Sequence, residues 1–111
     1  MKLPKLIRDK LTDKFIRRGI NYKVSYISGE EYIQALDAKL DEEVAEFKAD
    51  HSLEELADIL EVLLAATRAH GYSVDELLLA RGEKALELGG FLLGCRLDEI
   101  EEEKGNEMCV L

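Results

Sequence analysis

Proline, cysteine, histidine and aromatic side chains are all scarce in this chain of 111 residues, and each shortage closes off a class of protein. A single Pro and 6% aromatic content, beside 47% hydrophobic residues and abundant Leu, Ala, Glu and Lys, make the composition that of a helical globular protein. Two cysteines, Cys95 and Cys109, cannot build a disulfide framework, and their spacing to His51 and His70 fits no zinc pattern. They read as ordinary reduced thiols of a cytoplasmic protein. In the ending Met108-Cys109-Val110-Leu111 the thiol stands one place too late for a prenylation box. Glu-x-x-His is missing as well: Lys48 stands three residues before His51, and Thr67 three before His70. A di-iron carboxylate bundle is thereby excluded. Apolar runs stop well short of the roughly 18 residues of a membrane span, and no secretory leader is expected.

Positive charge is the other shortage. A formal net charge of −9 argues against a nucleic-acid polymer or an anionic membrane as the main partner. The few cations are unevenly placed. Lys2, Lys5, Arg8, Lys10, Lys14, Arg17, Arg18 and Lys23 crowd the first 23 positions, whereas acidic groups dominate from Glu30 onward. Such a basic segment can supply phosphate-binding charge to a site built farther along, or simply form the solvated face of an amphipathic helix.

What the chain does have is a run of carboxylates at helical spacing. In the stretch from Lys39 to Asp58, Glu43 lies three residues from Glu46, and Glu55 three from Asp58. Residues three apart are neighbours on a helix surface. At about 100° per residue, Ile33, Leu36, Leu40 and Phe47 share one side of a helix, and Glu43 falls inside that apolar stripe. Glu46, Glu42 and Lys39 line its edge. In the next segment Glu54, Glu61 and Arg68 recur every seven residues as a solvent stripe. Glu55 and Asp58 lie off it, on the side of Val62, Ala65 and Ala69. A helix with two apolar sides and one narrow polar stripe is a buried one.

Four acids converge if the two segments pack together. Two unit charges 4 Å apart repel by about 4 kcal/mol at an effective dielectric near 20, and desolvation adds several kcal/mol per ion. A divalent cation removes the conflict, and an all-oxygen donor set favours Mg²⁺ or Mn²⁺ over Zn²⁺. Glu55 has a second reading: Ser52 to Glu55 spells a capping box, in which the Glu side chain reaches back to the N-cap amide.

In chain order, Leu6, Ile7, Leu11 and Phe15 predict a short helix over 3–18, with Pro4 in its first turn and Gly19 after it. Tyr22 to Ile27 reads as a short strand or an extended connection, with 91–97 as its one candidate partner. Ser28 and Glu31 form another capping-box pattern, opening a long helix to about Ala49. Asp50-His51-Ser52 breaks it, and Ser52 caps a helix to about His70. So short a connection makes the two helices antiparallel. Gly71 stops the second, Ser73 caps a fourth helix, and Gly89-Gly90 closes that one. The expected fold is all-α, a bundle of four main helices over 1–97 completed by oligomerisation, followed by an acidic tail over 98–111.

The string Lys39-Leu40-x-Glu42-Glu43-x-x-Glu46, with Glu55-Leu56-Ala57-Asp58-Ile59-Leu60, resembles the all-α nucleoside triphosphate pyrophosphohydrolases, most closely the MazG-like and phosphoribosyl-ATP pyrophosphohydrolase-like branch. Lys5-Leu6-Ile7-Arg8-Asp9-Lys10, and Lys84 followed by Gly89-Gly90-Phe91, extend the likeness to about residue 97. The resemblance implies Mg²⁺ ligation by Glu43, Glu46, Glu55 and Asp58, and phosphate contacts from Lys5, Arg8, Lys39 and Lys84. It also implies a homodimer or homotetramer that hydrolyses the α,β phosphoanhydride of a nucleotide, with Glu42 or Glu46 as general base. Two departures stand out. Glu46 and Glu55 are close together in sequence for the family, and Leu88 occupies the place before Gly-Gly-Phe where relatives often carry Arg. The rival readings are a phosphoribosyl-ATP substrate and a non-catalytic helical oligomer that keeps the acidic motif.

Overall fold

The computed structural model describes residues 2–101. Four helices follow one another: α1 (Leu11–Arg17), α2 (Gly29–Asp50), α3 (Leu53–Ala69) and α4 (Val74–Leu88). No strand occurs among the described residues. Cys109 and most of the acidic tail lie outside them.

Two local expectations change, and one left open between two alternatives is decided. The first helix begins at Leu11, not near Leu3, because residues 3–10 are drawn across the longer helices by ion pairs from Lys5 to α2 and from Arg8 to α3. Tyr22 to Ile27 and residues 91–97 form connections and no strand, as a lone strand without a ladder partner leaves its backbone groups unpaired. Ser28 stands at the N-cap of α2, yet its side chain makes no capping bond. Gly29 enters that helix in the left-handed region, at φ 59°.

The other boundaries follow local chemistry. His51 ends α2 in the left-handed region at φ 56°, with its N–H on Phe47 O and its ring edge-on to Phe47 at 5.1 Å between centroids. α3 ends in a Schellman motif: Gly71 N–H donates to Arg68 O and Tyr72 N–H to Thr67 O, both at 3.0 Å, with Gly71 at φ 85°. Ser73 and Glu76 form a complete capping box at the start of α4, with both bonds at 3.1 Å.

α2 and α3 form the principal packed pair. Their core is small: Leu36 is 3% exposed, Val62 7%, and the third buried residue is Glu43 at 5%. α4 leans on α3 alone, beside a shallow apolar groove lined by Leu63, Ala66, Thr67, His70, Tyr72 and Leu77. The radius of gyration is 18.9 Å, against about 13 Å for a compact domain of some 100 residues. α3 is thus packed by α2 along one apolar side and by α4 only near its C-terminal end. Among the described residues no helix is long and apolar enough to cross a membrane.

The two serine caps make a direct comparison. Ser73→Ala removes a hydroxyl that accepts the Glu76 amide and is expected to cost about 1 kcal/mol in urea unfolding. Ser28→Ala removes no capping bond and is expected to stay within about 0.5 kcal/mol of the parent.

Candidate metal centre

The turn at His51 and Ser52 sets the site. Ser52 accepts the Glu55 amide at 3.3 Å, but the reciprocal bond from the Glu55 carboxylate is not made and the capping box is half formed. The Glu55 carboxyl is thereby free to face α2. Carboxylate oxygens of Glu43, Glu55 and Asp58 lie within 4.8 Å of one another, and those of Glu42, Glu43 and Glu46 do the same. Glu43 belongs to both groups. The apolar stripe that carries Leu36 carries it inward, as the angular reading of the sequence requires.

Three cations border the acids. Lys39 Nζ lies 3.1 Å from Glu43 Oε1 and 3.4 Å from Glu42 Oε2, while Lys5 Nζ lies 2.6 Å from Glu42 Oε1. Arg8 Nη2 lies 2.7 Å from Asp58 Oδ1. Five carboxylates against three cations leave a deficit of two positive charges, the charge of one divalent ion. Two covered oxygens, Glu43 Oε2 and Glu55 Oε2, have no hydrogen-bond partner. A buried acceptor left unsatisfied costs about 1–3 kcal/mol, and more when it carries charge.

Proton affinities follow this division. The Lys5 hydrogen bond, backed by Lys39, holds the Glu42 carboxyl below its usual range, and Glu42 in turn raises Lys5. Burial pushes Glu43 up, against the pull of Lys39, and the charges of Glu46 and Asp58 add to the rise. Glu55 is pushed up to about 7, first by desolvation and then by the charges of Glu46, Asp58 and Glu43. Glu42 thus has its negative charge balanced, whereas Glu43 and Glu55 hold theirs at a cost.

The donor set suits a hard cation. Every group of three close ligand candidates among the described residues is made of carboxylates alone. Bonds of about 2.1 Å to Mg²⁺ put opposite oxygens about 4.2 Å apart, a span these side chains already approach. Of the four ligands expected from sequence, Glu43, Glu55 and Asp58 form one group, and Glu46 joins Glu43 in the other; Lys5, Arg8 and Lys39 border them. Lys84 is not with them. It is exposed on α4, which touches only α3, and no ion pair joins it to the acids. The pairing of Lys39 with Glu42 and Glu43 was legible as i,i+3 and i,i+4 spacing; the pairing of Lys5 with Glu42 and of Arg8 with Asp58, 37 and 50 residues apart, had no local signal.

No family model matches the chain, and no curated protein or solved structure matches it at a significant level.

The raised Glu55 carboxyl makes stability fall with pH in a defined window. Glu55 gives up its proton near 4.5 when unfolded but at about 7 when folded, so deprotonation favours the unfolded chain. Its contribution is fully present below the unfolded value and is lost as pH rises through the folded one. The Glu42 contribution runs the other way, being lost as pH falls below the ordinary carboxylate range. In chelator at fixed salt, the urea midpoint is expected to decline as pH rises between the two Glu55 values, and Glu55→Gln to flatten that decline.

Proposed function

We propose that the chain is a Mg²⁺-dependent nucleoside triphosphate pyrophosphohydrolase, cleaving the α,β phosphoanhydride to a nucleoside monophosphate and pyrophosphate. The observation that carries this reading is the pair of covered carboxylate oxygens on Glu43 and Glu55 that lack partners amid an excess of acids. The motif resemblance supplies the reaction, and the charge balance supplies the class of cofactor. Glu43, Glu46, Glu55 and Asp58 would hold the ion, with Mn²⁺ as a substitute. When bound, it supplies charge neutralisation at the phosphate oxygens and acidifies a water.

The chain's own groups divide the remaining work. Lys5, Arg8 and Lys39 provide positive charge for the polyphosphate, and the nucleotide competes for them with Glu42, Glu43 and Asp58. Glu46 is exposed and enters no ion pair among the described residues. It takes the proton as water attacks the α phosphorus and the bond to the bridging oxygen breaks, releasing pyrophosphate. Glu42, with each carboxylate oxygen on a lysine, positions Lys5 and Lys39. Lys84 has no part in the site within one chain.

One observation favours a second reading. The same three cations neutralise most of the acidic charge by themselves, which is what a non-catalytic helical oligomer would need to tolerate the motif. The two readings separate in one experiment. Purified protein with Mg²⁺ is expected to release pyrophosphate from one or more (deoxy)nucleoside triphosphates, and Glu46→Gln to lower kcat about 10²- to 10⁴-fold with helicity and assembly unchanged. Release from phosphoribosyl-ATP alone would make that the substrate. No release from any of these, with Glu43→Gln altering folding or assembly instead, would overturn the catalytic reading in favour of the structural one.

A further inference from the structure

Among the described residues, two ion pairs of unequal strength join the N-terminal segment to the helices that carry the acids. Lys5 Nζ meets Glu42 Oε1 on α2 at 2.6 Å, with both side chains largely covered, and Leu6 and Ile7 beside it are half-buried. Arg8 Nη2 meets Asp58 Oδ1 on α3 at 2.7 Å, but the Arg8 side chain is 59% exposed, and Asp9 and Lys10 after it are exposed too. α1 does not pack against α2, α3 or α4, and its aromatic contact, Phe15 with Tyr22, is local. Its first turn is fastened to Arg8 instead, whose carbonyl accepts the Leu11 amide at 3.1 Å. The placement of α1 therefore depends on the Arg8 link, with Lys5 to Ile7 as the pivot behind it.

Asp58 is at once the partner of Arg8 and one of three residues, with Glu43 and Glu55, whose carboxylate oxygens lie within 4.8 Å of one another. The guanidinium answers one acid of a group that still has two covered oxygens without partners, Glu43 Oε2 and Glu55 Oε2. Glu42, the partner of Lys5, stands outside that group. A divalent cation held by Glu43, Glu55 and Asp58 would take over the Asp58 charge and leave the Lys5 pair in place. Exposed ion pairs are weak, so Arg8 is the tether that gives way.

We propose that Arg8 is a built-in counter-ion: it closes the cation-free site by pairing with Asp58 and yields that carboxylate when a divalent cation is bound, freeing α1 to swing about Lys5. This rests on the metal reading of the acids and adds an order to it, because Arg8 becomes available to a polyphosphate only once the cation is in place.

The chain has no tryptophan, so Ile16→Trp, at a position 63% exposed on α1, supplies a single reporter of that helix. Its fluorescence anisotropy is expected to fall on saturation with Mg²⁺ at matched ionic strength. With Arg8→Gln added, the low value is expected already in chelator, with no further fall. In calorimetric titration with Mn²⁺ and without the reporter, Arg8→Gln is expected to bind about two- to fivefold more tightly than the parent, the worth of an exposed ion pair. Arg17→Gln removes the same charge from α1 but no ion pair among the described residues, and is expected to bind as the parent does. A wild-type chain that binds neither ion saturably sinks the metal reading and the proposal together. Saturable binding with unchanged anisotropy, or with Arg8→Gln no tighter than Arg17→Gln, would overturn the proposal and leave the metal reading standing.

Discussion

A carboxylate sits where a leucine would be the ordinary choice, and the rest of the structure adjusts to it. Glu43 lies on the face of α2 that carries Leu36 and is as well buried as the hydrophobic core beside it. A charge in that position is costly unless partners surround it. Lys39, one turn earlier on the same helix, answers one oxygen; the other is left without a partner. Asp58 and Glu55 arrive from α3 with more negative charge. Helix pairing and acid crowding are therefore the same event, because the turn at His51 and Ser52 that closes the α2–α3 hairpin also brings the acids face to face.

The N-terminal segment is best understood as a response to that crowding. Lys5 and Arg8 each cross to a different helix, and the segment gives up helical structure to let them do so. The Arg8 link is largely solvent-exposed and is worth no more than about 1 kcal/mol. Such a link is easily exchanged for a ligand. Weak tethers beside a crowded acidic pocket are what the proposed exchange of cation and polyphosphate would require.

Much of this was legible in the sequence because it depends on periodicity. The inward direction of Glu43, the solvent stripe of Glu54, Glu61 and Arg68, the stop at Gly71 and the cap at Ser73 all follow from the 3.6-residue repeat and the needs of helix ends. Two kinds of feature were not. The start of α1 was misplaced because the amphipathic spacing of Leu6 and Ile7 says nothing of ion pairs to residues 37 and 50 positions away. The capping-box pattern at Ser28 and Glu31 was present in letters but not in geometry, where Ser28 makes no capping bond. At Ser52 and Glu55 the same pattern closed halfway, and the open half is what leaves the Glu55 carboxylate to the acidic cluster. The second apolar side of α3 was visible in the sequence; that α4 leans only on its C-terminal part was visible only in the structure.

The central claim is that these acids share one divalent cation, and calorimetric titration with Mn²⁺ in buffers of different ionisation heat tests it most directly. Binding should be saturable at one ion per chain and should displace a proton at slightly acid pH, because Glu55 holds its proton up to about 7 and must release it to ligate. The displaced proton should vanish in alkaline buffer and in the Glu55→Gln protein. Absence of saturable binding, or binding whose heat is the same in every buffer on the acid side, would contradict the shared-cation account.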